Sequence, residues 1–295
     1  MNIKKVGLTA LAGSLVATSA FAGELSLSGG AKLSYVNKGG TLETTNVVAS
    51  GYAMDQEISA SGSAELDNGF TISLSHGLSG SGAEGSDSSV LTLDMGDMGT
   101  LGYDDTDGHY GLAGLEDKIP NAYEQANDGL GTTATAATMA KMASGQGFGY
   151  STSVGGAAIS IGYSDGLGAT ANRSDGGQDN SVGSTDSSSS IAVTYAAEDL
   201  GLTVFGGAGS EGQADGKELD HTTFGATYAF GPATVGYQVN DEDDSATGGT
   251  DYETEIYGIS FMINDNFSVS YGEHNTDKSG STVDQEAESI QASYS

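Results

Sequence analysis

The sequence contains no cysteine among its 295 residues, which excludes a disulfide framework and any thiolate metal or redox centre. Proline is nearly absent, at 2 residues against 47 glycines. A disordered chain would carry more proline and lysine and less regular patterning, so the glycines belong in strands and turns. Basic residues are scarce too: 9 Lys and Arg stand against 40 Asp and Glu, a net charge of −31. Such a charge repels phosphate backbones, and nucleic-acid partners are set aside. Long hydrophobic runs are missing. Residues 6–20 form the longest, short of the roughly 20 apolar residues of a spanning helix, so if the mature chain meets a membrane it does so with strands.

The first 22 residues have the grammar of an export signal. Met1-Asn2-Ile3-Lys4-Lys5 is a basic start, an apolar stretch follows, and Ala20-Phe21-Ala22 offers a small-x-small cleavage site. The expected organisation is a signal peptide over 1–22 and one domain over 23–295. Removing Lys4 and Lys5 makes the mature chain still more acidic.

What is present, from one end to the other, is a period of two. Leu25, Leu27, Leu33 and Tyr35 share one parity, with Ser26, Ser28, Lys32 and Ser34 on the other, as in a strand with one apolar and one polar face. Ile58 to Leu66 repeats the pattern, Asp67-Asn68-Gly69 interrupts it, and Phe70, Ile72 and Leu74 resume it. An Asn-Gly between alternating runs is the strongest short-range hairpin signal. Similar runs end near Met95, Tyr103, Val154, Tyr163, Tyr195, Val204, Phe230, Val239, Ile263, Tyr271 and Tyr294. The pattern predicts 14 strands.

Their connections alternate in length. Tight turns fall at 67–69, 97–99, 155–156, 231–232 and 264–266. Long acidic connections are expected at 38–50, 104–146, 165–187, 210–218, 241–250 and 274–284. Strict alternation of short and long is the mark of an up-and-down antiparallel barrel with turns at one rim and loops at the other. Phe70, Phe148, Tyr150, Phe230, Phe261 and Phe267 lie near the short turns. Tyr35, Tyr52, Tyr103, Tyr163, Tyr237 and Tyr271 lie near the long loops, as two interfacial girdles would. A soluble sandwich or a solenoid also alternates, but a solenoid needs a fixed repeat, and a sandwich core takes larger residues than these Gly/Ala-diluted faces supply.

The segment 104–146 is the longest connection. A compact domain rarely carries some forty residues of loop without a use for it, and its expected place is inside the barrel, narrowing the bore. A short helix at 134–143 is its one helical candidate. The segment is acidic, and Asp104, Asp105 and Asp107 are candidate calcium ligands because hard cations favour clustered carboxylates. A solvated acidic loop is the competing reading, as it is for 241–244. No other cofactor is expected, and the four histidines, His76, His109, His221 and His274, have no zinc spacing. Two motifs are set aside as products of high glycine content. Gly162-Tyr163-Ser164-Asp165-Gly166 has the nucleophile-elbow pattern, and Gly207 to Gly212 has a dinucleotide-loop pattern, yet neither precedes a helix. No enzyme is expected.

With these elements placed, the chain resembles the general diffusion porins of Gram-negative outer membranes, especially the alphaproteobacterial type. The likeness is carried by Gly23-Glu24-Leu25-Ser26-Leu27-Ser28-Gly29, by Glu65-Leu66-Asp67-Asn68-Gly69-Phe70 and by the run from Gly99 to Gly108. The resemblance implies a 16-stranded transmembrane barrel, of which this chain supplies about 14 strands; the two readings are that a last C-terminal hairpin is missing or that the barrel closes with 14. It implies a homotrimer in outer-membrane lipid that passes small hydrophilic solutes and ions through a water-filled channel. It also implies that the third loop bends inward and carries the constriction carboxylates, here Asp104, Asp105, Asp107, Glu116, Asp117, Glu124 and Asp128. Lys32 is the candidate for the opposing wall, because the only arginine, Arg173, lies in another loop. The carboxylate excess predicts cation preference. The alternative is a secreted acidic structural or adhesive β-protein without a pore.

Overall fold

The computed structural model describes residues 25–42, 45–79, 85–104, 110–116, 118–126, 147–164, 187–213, 216–246, 248–280 and 285–295. Among them lie 14 strands: β1 (Leu25–Leu42), β2 (Thr45–Glu65), β3 (Thr71–Ser79), β4 (Gly85–Asp94), β5 (Thr100–Asp104), β6 (Gly147–Val154), β7 (Ala157–Ser164), β8 (Ser188–Ala197), β9 (Leu202–Gly212), β10 (Glu218–Phe230), β11 (Ala233–Asp244), β12 (Tyr252–Asn264), β13 (Phe267–Lys278) and β14 (Gln285–Tyr294). The fold is all-β, antiparallel and up-and-down, with the strand count that the alternation predicts. The signal-peptide segment 1–22 and the helix candidate 134–143 lie outside the described residues.

The chain divides into two compact units. One comprises Met1–Val36 with Gly51–Tyr103, and the other Asn37–Ser50 with Asp104–Ser295. In the first, β3 pairs antiparallel with both β2 and β4, placing Leu74 opposite Gly62 on one side and Leu91 on the other. Leu25, Leu27, Leu33 and Tyr35 of β1 are exposed, and Ser26 Oγ lies 2.7 Å from Ser61 Oγ on the polar parity. Tyr35 and Tyr52 pack ring to ring at 4.9 Å.

In the second unit, β6 to β14 form an unbroken antiparallel ladder in chain order. Its two faces invert the usual soluble pattern. Large apolar side chains are left outside, with Phe224 at 64% and Ile290 at 87% exposure, while Gln238 and Thr276 on the other parity are at 0% and 1%. A continuous outward face of Ile, Val, Phe and Tyr is costly in water and stable against lipid. The Tyr237–Tyr257 pair, with ring centroids 4.9 Å apart, and the Tyr228–Phe230 pair, at 5.7 Å, sit toward opposite ends of that face.

Tight turns occur where the sequence places them. At 67–69 the Gly69 N–H donates to Leu66 O (2.8 Å), and Phe70 N–H donates to Asn68 Oδ1 (3.1 Å). The long connections are shorter than expected. Strand β1 continues to Leu42 and β2 begins at Thr45, so most of 38–50 is strand rather than loop. The segment 210–218 narrows to 213–217, 241–250 to 245–251, and 274–284 to 279–284; the segment 165–186 is outside the described residues. The reason is that a backbone ladder needs no apolar side chains. The apolar alternation stops at the edge of the lipid-facing band, while hydrogen bonding runs on through residues whose carboxylates water can solvate. Strands β10 to β13 have 12 or 13 residues, more than the roughly 10 that a tilted membrane strand requires.

Candidate functional site

The polar face of the second unit is small by construction. Its parity reads Gly147 and Gly149 in β6, Ser160, Gly162 and Ser164 in β7, Ser188, Ser190 and Ala192 in β8, Gly207 and Gly209 in β9, and Gly236, Gly258 and Gly272 in β11, β12 and β13. On that face lies the loop segment 110–126, fixed at three places.

The first is apolar. A 3-10 turn over Gly111–Leu115 packs against β7, β8 and β9. Leu112, Leu115 and Ile119 join Ala192, Phe205 and Ile256 in one buried cluster, with Leu112 at 0% exposure. Gly111 N–H donates to Ser160 Oγ (2.8 Å), and Leu112 N–H donates to Ser190 Oγ (3.1 Å). Gly111 has φ of 64°, and a Cβ there would collide with Ser190, so only glycine fits this bend. Tyr110 lies so close over Gly149 that any side chain at that wall position would meet its ring.

The second is steric. Gly236, Gly258 and Gly272 are direct cross-strand partners in β11, β12 and β13, and they make a transverse track with no side chains. A Cβ on Gly236 would stand 2.5 Å from Pro120 Cδ, one on Gly258 would strike Ile119, and one on Gly272 would touch Ala126 Cβ at 3.5 Å. Interior strand glycines of this kind mark close approach of another backbone. Gln238, buried beside the track, donates from Nε2 to Leu115 O (3.3 Å) and to Asn240 Oδ1 (2.9 Å).

The third is polar. Ala122 N–H donates to Ser270 Oγ (2.8 Å), and the N–H groups of Tyr123 and Glu124 donate to Gln291 Oε1 (3.0 and 3.1 Å).

Of the expected constriction carboxylates, two are described in full. Glu116 is exposed at the end of the 3-10 turn, and its carbonyl accepts from Gln125 Nε2 (3.0 Å). Glu124 is half-buried at the polar anchor. Asp104 is the last residue of β5. Asp105, Asp107, Asp117 and Asp128 lie outside the described residues, and with them most of the calcium candidate at Asp104, Asp105 and Asp107. Lys32 is exposed on the polar parity of β1, in the other unit. Among the described residues no group of three or more His, Asp or Glu side chains could hold a metal ion.

Sequence reasoning missed the wall's half of the site. Ser160, Ser190, Gln238, Ser270 and Gln291 look like ordinary lumen-parity residues until the loop is laid on them. The available signal was glycine recurring on one parity of consecutive strands. It also missed a buried cluster at the far end of β9 to β11. There His221 Nε2 lies 3.7 Å from Glu211 Oε2, and His221 Nδ1 lies 3.7 Å from Glu242 Oε2. Glu242 is past the Tyr237–Tyr257 band. Burial pushes its carboxyl up to about 7 against the pull of His221, with Glu211 and Asp244 adding to the rise. The dinucleotide-like run Gly207 to Gly212 is plain strand β9, and β10 is the next strand. Ser164 is a buried strand end.

The model of the Gram-negative porin family matches residues 7–295. No curated protein sequence matches the chain. Among solved structures, an anion-selective porin from Comamonas acidovorans aligns with TM-score 0.61 at 16% identity, over 91% of this chain and 84% of that one. The outer-membrane protein OmpT of Vibrio cholerae, in a trimer form, aligns with TM-score 0.60 at 11% identity, over 92% and 84%. A substituted Rhodopseudomonas blastica porin aligns with TM-score 0.50 at 16% identity, over 92% and 99%. At these identities the likeness establishes the fold.

Proposed function

The chain belongs to the Gram-negative porins, and on that premise we propose that it carries small hydrophilic solutes and ions by passive diffusion, with a preference for cations and with the segment 110–126 as its constriction. The observation that carries this reading is the seating of that segment on the polar face of a sheet whose opposite face is apolar and exposed. A face of Ser, Gly, Gln and Thr is wettable, the outward face suits lipid, and a loop fixed over the wettable face reduces the free cross-section.

The sign of selectivity is a matter of charge rather than of fold. The Comamonas acidovorans neighbour is anion-selective on the same architecture, so the argument rests on this chain's own 40 carboxylates against 9 basic residues. Rings or clusters of carboxylates at a narrow passage raise the local cation concentration and repel anions. In this proposal Glu116 and Glu124 supply charge from the seated loop. Asp104, Asp105, Asp107, Asp117 and Asp128 add to it, and Lys32 serves as the opposing positive group. A homotrimer in the outer membrane, exported by the signal peptide 1–22, completes the proposal.

Purified, folded protein in a planar bilayer under a KCl gradient tests it. The expected result is stable ohmic conductance with a reversal potential on the cation side. A reversal potential on the anion side removes the selectivity reading, and the absence of conductance removes the channel. The adhesive alternative is disfavoured by the exposed apolar face, which a protein free in water would have to cover.

A further inference from the structure

An irregular segment must find partners for its own backbone polar groups. Along residues 122–124 three successive N–H groups are taken by two wall side chains, Ser270 and Gln291, which stand directly opposite each other on β13 and β14. Gln291 goes further. Its Nε2 donates to the Glu124 carbonyl at 2.5 Å and to Ser289 Oγ at 3.0 Å. One side chain therefore holds both the N–H and the C=O of Glu124. The orientation of its amide is determined as well: Oε1 faces two backbone N–H donors and Nε2 a backbone carbonyl, and a flip would break all three of these contacts.

Glu116 is held differently. Its N–H bonds within the loop, to Ala113 O at 3.3 Å, and its carbonyl to Gln125 of the same segment. Whatever position Glu116 takes, it takes with the loop, whereas the backbone of Glu124 is referenced to the barrel wall. The field of a carboxylate in salt solution dies away within about 8–10 Å, so an ångström-scale shift at a narrow passage changes what a passing ion meets.

We propose that Gln291 is the positioning residue for the Glu124 carboxylate, and through it a determinant of ion selectivity. The inference rests on the cation-preferring channel proposed above. The Ser270–Gln291 pair acts as a two-point clamp on residues 122–124, while the glycine track leaves the loop room to reach it.

The test is a double-mutant cycle on reversal potential in the full-length, folded protein, with Gln291→Ala, Glu124→Gln and the pair together. Heat-modifiable migration establishes that each variant is folded. Gln291→Ala is expected to lower the cation-to-anion permeability ratio by about a factor of two or more, and Glu124→Gln to lower it similarly. The pair should do little more than either alone, because a carboxylate already displaced has less to lose. Full additivity, or no effect of Gln291→Ala, overturns the proposal. If Gln291→Ala does not fold, the cycle is run with Ser270→Ala, which loosens the same clamp at its other point and leaves Gln291 in place; additivity there counts equally against it. A wild-type channel that prefers anions would refute the selectivity reading alone, since the coupling is still read from the size of the shifts.

Discussion

At residues 110–119 the loop is held by apolar contact with backbone hydrogen bonds beside it, and at residues 122–124 by hydrogen bonds to Ser270 and Gln291. The first region buries Leu112, Leu115 and Ile119 against Ala192, Phe205 and Ile256; each such side chain contributes about 1.5–3 kcal/mol. The second has four hydrogen bonds to Ser270 and Gln291, each worth about 1 kcal/mol net. Apolar contact is non-directional and supplies strength, whereas hydrogen bonds are directional and supply position. The loop thus has a strong attachment around Leu112 and Leu115, next to Glu116, and a geometrically defined one at Glu124.

The comparison breaks most visibly at its strong end. Leu112→Ala removes a fully buried side chain and is expected to cost about 2–4 kcal/mol of loop seating. Trypsin should then cut the folded protein after Lys118 faster than wild type. Next in size is the track. Gly258→Val forces methyl groups against Ile119 and costs about 1–3 kcal/mol; lifting the loop off the wall should reduce conductance, and unchanged conductance would mean that the track does not seat it.

A matched pair of serines sharpens the contrast. Ser190→Ala and Ser270→Ala each remove one acceptor for a loop N–H, at about 1 kcal/mol apiece. Only Ser270→Ala should move the reversal potential, because Leu112 stays packed without Ser190. The smallest effect is expected away from the loop, at Glu242. Its folded carboxyl is raised from 4.5 to about 7 by burial, so the folded state binds more protons than the unfolded state between those values. Stability is then fullest below the lower value and declines as pH rises through the upper one. Amide exchange around His221 and Glu242, corrected for its intrinsic rate, should accelerate over that range, and Glu242→Gln should flatten the dependence.

Much of the fold was legible in the sequence because the period of two is a local property. Leu25 to Tyr35 or Phe224 to Phe230 reveals its strand from its own residues, and Asn68-Gly69 its turn. The strand ends were not legible. Acidic residues such as Asp241 to Asp244 read as loop, although the ladder continues through them. The existence of a folded-in loop could be read from its length, but its seating could not. That seating depends on which loop residue falls opposite which wall residue, as with Glu124 and Gln291, 167 positions apart, and no local pattern encodes a pairing at that distance. The glycine track was visible only as unexplained glycines in strands, until Gly236, Gly258 and Gly272 came into register.

The absence of cysteine makes the central claim directly measurable. A Cβ at Gly272 would stand 3.5 Å from the Cβ of Ala126, within the span of a disulfide, so the double variant Ala126→Cys with Gly272→Cys has no competing thiol. If the loop rests on the wall as described, mild oxidation of the folded protein should consume both thiols, leave nothing for a maleimide to label and preserve conductance. Two thiols that stay free and react with the maleimide after oxidation would place residue 126 elsewhere and contradict the account.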